Sequence, residues 1–181
     1  MLNLNDREWR DFSFEELFIV KRGDSVYKQY MKKGSIPYVS ASAVNNGISD
    51  YCNSSNRGSN MISLAYDGSI GATFYQSTKW FASEKIVSIE LKERELNREI
   101  ALFLCRVISH QRHKYSYGYK WSVGIRMMRG KIMIPVNCHG EPDYDFMEAY
   151  IREREEFKRK QYIQYTTKRL EVLKNGGGGT N

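Results

Sequence analysis

Nowhere in this chain do 18 apolar residues run together, so the sequence offers no transmembrane helix. The opening MLNLNDREWRDF lacks the apolar stretch of a secretory signal. Cysteine is sparse: Cys52, Cys105 and Cys138 are odd in number and have no C-x-x-C spacing, which argues against a disulfide framework and fits a reducing compartment. A soluble cytoplasmic protein is the expectation. Histidine is as sparse, and His110, His113 and Cys138-His139 are the nearest approach to a zinc set, without a second close-spaced pair. Gly68-Ser69-Ile70-Gly71 lacks the context of a phosphate-binding loop and reads as a hairpin. Pro142-Asp143 with Glu156-Phe157-Lys158 has the letters of a PD-ExK nuclease, whose groups assemble around a metal from neighbouring strands, but the second half falls in the middle of a helix. No motif suits S-adenosylmethionine, and no Asn-Pro-Pro-Tyr-like methyltransferase site is present. The expectation is a chain with no catalytic centre and no metal site, acting with a partner.

What the sequence does contain is cationic and aromatic. The 181 residues carry a formal charge of +7 and include 13 Tyr and 3 Trp, mixed with Lys, Arg, Asn, Ser and Gln. The pI is near 9.2. Such a set provides phosphate contacts, base-edge hydrogen bonds and flat surfaces for stacking, so a polyanionic partner is expected. With 41% hydrophobic residues, residues 1–140 are enough for one core, leaving the remainder as an appendage.

Trp9, Phe12 and Phe14 mark an edge strand that runs into a short helical turn at Leu17, Phe18 and Ile19. The loop from Lys21 to Ser35 is basic: Lys21, Arg22, Lys28, Lys32 and Lys33 could meet phosphates, and Tyr27 and Tyr30 could stack, although a merely soluble loop has the same composition. Ile36 to Ser40 reads as a short strand, and Asn45-Asn46-Gly47 as a turn. Alternation predicts strands on Ile62, Leu64, Tyr66, on Ile70, Ala72, Phe74 and on Val87, Ile89, Leu91, the last with Ser88, Glu90 and Lys92 on its other face. Asp67-Gly68 joins the first two as a hairpin. Gln76, Lys79 and Trp80 follow at a strand end, and Asn97 to His113 forms an amphipathic helix capped by Asn97. The segment Lys114 to Gly130 interleaves Lys114, Lys120, Arg126 and Arg129 with Tyr115, Tyr117, Tyr119 and Trp121 between glycines, as a surface entering a DNA groove would. Lys131 to Val136 is a final strand.

Residues 141–175 predict one long helix. Pro142 and Asp143 supply its start, Asp145 and Glu148 have capping-box spacing, and no Gly or Pro follows until Gly176. About 30 residues make a rod of roughly 45 Å. Its apolar positions, Phe146, Tyr150, Ile151, Phe157, Ile163, Leu170 and Leu173, exceed what the preceding domain can cover. The seven-residue spacings Tyr150 to Phe157 and Ile163 to Leu170 are offset by six, which predicts a helix pair without regular coiled-coil heptads. Residues 176–181 read as a flexible glycine-rich tail.

The order of Trp9-x-x-Phe12, Leu17-Phe18-Ile19, the Gly23 loop, Ile36-Pro37-Tyr38-Val39-Ser40, Asn45-Asn46-Gly47-Ile48, Tyr117-Gly118-Tyr119-Lys120 and Lys131-Ile132-Met133-Ile134-Pro135, closed by the long helix, resembles a target-recognition domain. The similarity is to the DNA specificity subunits of type I and related, type IIB-like, restriction-modification systems. Such subunits usually hold two recognition domains and two helices, whereas this chain has one of each and resembles a half subunit. The resemblance implies an α+β fold: a twisted mixed or antiparallel sheet with one packed helix, followed by a long C-terminal helix. It implies recognition of one half of a bipartite site in double-stranded DNA, without catalysis, for a partner methyltransferase that would hold S-adenosylmethionine, with or without an endonuclease.

On that reading Lys21, Arg22, Lys28 and the other Lys and Arg of the 21–33 and 114–130 loops position phosphates, Tyr27, Gln76, Lys120, Trp121 and Arg126 contact bases or the groove, and Lys79 and Tyr117 join the DNA-binding set. Phe146, Tyr150, Phe157, Ile163 and Leu170 would meet the helix of a second copy. The alternative from another class is an adaptor that works through the long helix alone.

Overall fold

A computed structural model of the chain describes residues 1–26, 30–115 and 118–176. The strands, in chain order, are β1 (Glu8–Ser13), β2 (Phe18–Arg22), β3 (Lys33–Val39), β4 (Ile48–Cys52), β5 (Met61–Ala65), β6 (Thr73–Gln76), β7 (Phe81–Ala82), β8 (Ile86–Leu91) and β9 (Lys131–Val136). The helices are α1 (Phe14–Leu17), α2 (Arg98–His110), α3 (Ile125–Met128) and α4 (Tyr144–Gly176). The first and last strands pair antiparallel, from Glu8 opposite Val136 to Ser13 opposite Lys131. A four-stranded antiparallel sheet has the order β2-β8-β5-β6, and a mixed sheet the order β4-β3-β7 with β3 and β7 parallel. The fold is α+β.

Local chemistry explains the turns between these layers. Ser13 and Glu16 form a reciprocal cap: the Glu16 amide donates to Ser13 Oγ at 3.2 Å, and the Ser13 amide donates to Glu16 Oε2 at 2.6 Å. The Ser13 hydrogen bonds hold the Glu16 carboxyl below its ordinary pKa. This cap turns β1 into α1 and buries Phe14 and Phe18 edge to face, 5.1 Å apart. Asn97 caps α2 as its side chain accepts from the Ile100 amide at 2.9 Å. The apolar face of α2, with Ile100, Leu104 and Ile108 fully buried, packs with Ile62, Leu64, Val87 and Ile89 of the sheet and Ile132 and Ile134 of β9.

Several sequence expectations change in detail. The second strand begins at Thr73, not at Ile70, because Gly68 and Gly71 adopt φ of 74° and 80° and fold residues 66–72 into the connection. A side chain at Gly68 would also meet Ala41 Cβ at 2.9 Å. Ser88 lies on a covered face, since Arg57 Nε donates to its hydroxyl at 2.8 Å. The helix starts where Pro142 and Asp143 indicate, with Asp143 capping α4 by accepting from the Phe146 amide at 2.9 Å, while Asp145 lies inside the first turn and is not the cap.

The first turns of α4 belong to the core: Phe146 is 4% exposed and Met147 fully buried. Polar ties hold this base in place, among them Arg7 Nε to Asp143 Oδ2 at 2.7 Å and the two guanidinium nitrogens of Arg98 to the Glu155 carboxylate at 2.8 and 2.7 Å. From Glu156 to Lys174 every side chain except Thr166 is exposed. Phe146 and Tyr150, expected to meet a second helix, therefore pack on their own domain, while Phe157, Ile163 and Leu170 remain open. The tail beyond Gly176 lies outside the described residues. Among the described residues no helix is long and apolar enough to cross a membrane.

Candidate nucleic-acid interface

Three connections bring cations and aromatic rings to one end of the four-stranded sheet, where β2 and β5 finish and β6 and β8 begin. At the end of β2 the Arg22 guanidinium lies over the Tyr66 ring, 5.4 Å from its centre. Next to Tyr66 in the β5–β6 connection, Asp67 accepts from Lys120 Nζ at 3.0 Å. Lys120 belongs to the third connection, between α2 and β9, where its carbonyl accepts from Arg126 Nη1 at 3.3 Å. The result is a strip running Arg22, Tyr66, Asp67, Lys120, Arg126, with the exposed Lys85 adding positive potential at Asp67. Lys21 flanks it, its ammonium 3.3 Å from Glu90.

The third connection has an aromatic spine. Tyr119 stacks on Tyr115 at 6.1 Å, Tyr115 on Trp121 at 4.6 Å, and Trp121 meets Phe14 edge to face at 5.5 Å. Its inner end is core and its outer end is solvent: Trp121 is 1% exposed and Tyr119 52%. Burial raises the Tyr115 phenol above its ordinary pKa. Arg126 sits over the outer ring, 4.6 Å from its centre, and the neighbouring Ile125 is 73% exposed. An Arg, a Tyr and an Ile are thus presented together at the tip, supported from the core.

The structure corrects two expected contact residues. Trp121 is a buried anchor with no face left for a ligand. Gln76 is 3% exposed: its Nε2 donates at 3.0 Å to both the Asn46 carbonyl and Ser63 Oγ, and its Oε1 accepts from Asn46 Nδ2 at 3.3 Å. Gln76 therefore holds the turn in which Asn46 takes a φ of 55°. Replacing Gln76 by Ala removes three hydrogen bonds, one of them to the buried Ser63 hydroxyl, and is expected to cost about 1–3 kcal/mol of stability. Urea unfolding checks this, with a lowered midpoint at an unchanged slope as the expected result.

Arg22, Lys120 and Arg126 come together, Lys21 borders them, and Lys79 is exposed on the separate β6–β7 connection. Tyr27, Lys28 and Tyr117 lie outside the described residues. Sequence reasoning missed Lys85 and Tyr66 as members of the strip, and Arg57 as its support. Arg57 donates to the Asn56 carbonyl at 2.6 Å and to the carbonyl of Arg22, pinning the end of β2. Nothing in the turn-rich composition around Arg57 signals that role.

Asp67 contributes a pH dependence. The Lys120 hydrogen bond, then the Gly68 amide, lower its pKa. A depressed carboxyl stabilises the fold above its unfolded value, about 3.9, and that contribution is lost as pH falls through the lower folded value. The Gly68 amide resonance is expected to titrate below the ordinary carboxylate range, and Asp67→Asn to abolish the titration.

The residues that could suggest metal chemistry are otherwise engaged. Asp143 caps α4 and pairs with Arg7, while Glu156 pairs with Lys160 at 2.8 Å. The rise from 143 to 156 along the helix separates the two by roughly 20 Å. His113 Nδ1 lies 2.6 Å from the His110 carbonyl. Among the described residues no group of three His, Cys, Asp or Glu is placed to hold a metal ion.

Comparison with known proteins agrees with the direction of this geometry. The family described as type I restriction modification DNA specificity domain matches residues 6–165. The type II restriction enzyme specificity subunit S.BcgI of Heyndrickxia coagulans is 36% identical over 155 residues, which are 84% of this chain and 45% of that protein. Among solved structures, the S subunit of a type I restriction-modification system from M. genitalium superposes with a TM-score of 0.59 at 16% identity, over 98% of this chain and 48% of the other. The HsdS subunit of Thermoanaerobacter tengcongensis has a TM-score of 0.55 at 11% identity, over 95% and 40%. The chain thus spans less than half the length of each of these relatives.

Proposed function

Because the chain belongs to the type I restriction modification DNA specificity domain family, we propose that it reads one half of a bipartite site in double-stranded DNA and directs a partner methyltransferase to it, with or without an endonuclease. The observation that carries this reading is the strip of Arg22, Lys85, Lys120 and Arg126 joined across three connections and backed by a buried aromatic spine. Cations on such a strip contact phosphates and set the register, while the Arg126 and Tyr119 tip enters the groove. Recognition is the whole task of this chain; S-adenosylmethionine belongs to the methyltransferase.

Residues 1–140 serve as the recognition domain, 141–175 as the pairing helix and 176–181 as a tail. A second copy pairs antiparallel through Phe157, Ile163 and Leu170, which are exposed on α4. Two domains at opposite ends of the helix pair would then face the two halves of one site. A chain with that task works in the cytoplasm, beside the DNA it reads.

Arg126 gives the test of sequence reading. If its guanidinium pairs with a base edge, Arg126→Ala costs about 1–3 kcal/mol on the preferred sequence and relaxes one position of the site. Selection from a randomised duplex pool by wild-type and variant protein measures both. An equal loss on every sequence would reduce Arg126 to a phosphate contact. A chain that selects no sequence but still captures a protein partner through α4 would favour the adaptor instead.

A further inference from the structure

The tip of the connection between α2 and β9 holds one residue that a phosphate-binding strip does not explain. Among the described residues no large aliphatic side chain is more exposed than Ile125, at 73%. Its surroundings are cationic: Arg126 follows it, Arg129 is exposed one turn on, and Arg126 donates to the Lys120 carbonyl at 3.3 Å. Phosphate contact uses Lys, Arg or a polar side chain and gains nothing from isoleucine.

The place of Ile125 is set by the core beneath it. Met127 of the same short helix is fully buried, and the Gly130 carbonyl just beyond the helix accepts from the Phe14 amide at 2.9 Å. The Arg129 amide closes the turn on the Ile125 carbonyl at 3.0 Å. Branching at Cβ leaves the side chain few rotamers. Beside it the Arg126 guanidinium rests over the Tyr119 ring, 4.6 Å from its centre. An apolar group and a fork of donors are thus held next to each other on one tip.

We propose that Ile125 packs against the C5-methyl group of a thymine in the major groove, beside the base that Arg126 meets, and so reads one position of the site. The inference rests on DNA recognition by this tip, as proposed above, and adds the base and the atom. The chemistry of the groove floor carries it. Base edges there present hydrogen-bond donors and acceptors, and the thymine methyl is the apolar group among them. An isoleucine pressed on donors and acceptors strips them of water without replacing their hydrogen bonds. Against the methyl, two apolar surfaces leave water together. Spacing agrees, since consecutive Cα atoms lie about 3.8 Å apart and successive bases of one strand about 3.4 Å. The other use of an exposed isoleucine is as a wedge between base pairs, which does not depend on a methyl group.

Removing the methyl group tests the contact without altering a hydrogen bond. The full chain first selects its site from a randomised duplex pool, and each thymine of that site is then replaced in turn by deoxyuridine. One replacement is expected to weaken binding of the wild-type protein by about four- to tenfold. Ile125→Ala is expected to lose a similar factor on the thymine duplex and to bind the thymine and deoxyuridine duplexes alike, because both changes remove the same contact. Ile125→Val keeps most of the preference. Both variants should retain the wild-type thermal midpoint, since the residue is exposed, so that the loss reports the contact and not the fold. A selected site with no methyl-dependent thymine would overturn the proposal and leave sequence recognition standing. So would an Ile125→Ala variant that is weaker on every duplex but keeps the wild-type ratio of thymine to deoxyuridine binding, which would make Ile125 a wedge. A wild-type chain that selects no sequence would overturn this inference and the DNA reading together.

Discussion

Raising the salt concentration from 50 to 200 mM is expected to weaken binding of this chain to a short mixed-sequence duplex by about 10³-fold. The size follows from counting cations that can reach phosphate. Lys21, Arg22, Lys79, Lys85, Lys120 and Arg126 are all exposed on the face and connections described above. Six phosphate contacts give a slope of about −5 in log K against log salt. The pairs Lys21 with Glu90 and Lys120 with Asp67 do not remove those cations from the count, because exposed ion pairs are worth little and can exchange one anion for another. Fluorescence anisotropy across a salt series measures the slope. A shallow slope, with affinity nearly independent of salt, would contradict a phosphate-tracking face and leave the helix as the main interaction surface. Non-specific duplex is sufficient here, since the electrostatic contribution does not depend on sequence.

Trp121→Ala is expected to destabilise the fold by about 3–5 kcal/mol, as loss of a fully buried aromatic side chain does. That is a large share of the roughly 5–15 kcal/mol that holds a domain together. For a chain of this size it corresponds to a fall of about 6–20 °C in thermal midpoint. Trp121 lies between Phe14 of the core and Tyr115 of the spine, so the substitution removes a stacked and an edge-to-face contact at once. It also leaves Tyr119 and Arg126 without support from the core. DNA affinity should therefore fall as a consequence of loop disorder, and Trp121→Phe should recover most of both. An Ala variant with full stability and reduced affinity would make Trp121 a contact residue after all.

The fate of Trp121 and Gln76 indicates which parts of this molecule can be read from a linear sequence. Trp121 stands in a polar, loop-like segment and Gln76 at the end of β6, as the sequence pattern indicates for each. Composition carries no information on the direction a side chain takes at either place. Trp121 turns inward because Phe14 offers a ring to meet its face, and Gln76 turns inward because a left-handed Asn46 needs its carbonyl and amide satisfied. Arg57 illustrates the opposite error: a residue passed over in a turn-rich segment proves to hold the end of β2.

By itself the sequence determined the periodic elements and the local starts: the alternation in β5 and β8, the amphipathic α2 with its Asn97 cap, the final strand, and a helix too long and too apolar on its outer half to be covered by one small domain. These depend on interactions between near neighbours, where capping geometry and periods of 2 and 3.6 suffice. Tertiary structure alone decided that Glu8–Ser13 pairs with Lys131–Val136, that the base of α4 is core while its distal end is open, and that Arg22, Lys120 and Arg126 form one strip. Those arrangements join residues distant in sequence. They are selected by shared burial and by hydrogen-bond satisfaction across the whole fold, which no local pattern encodes.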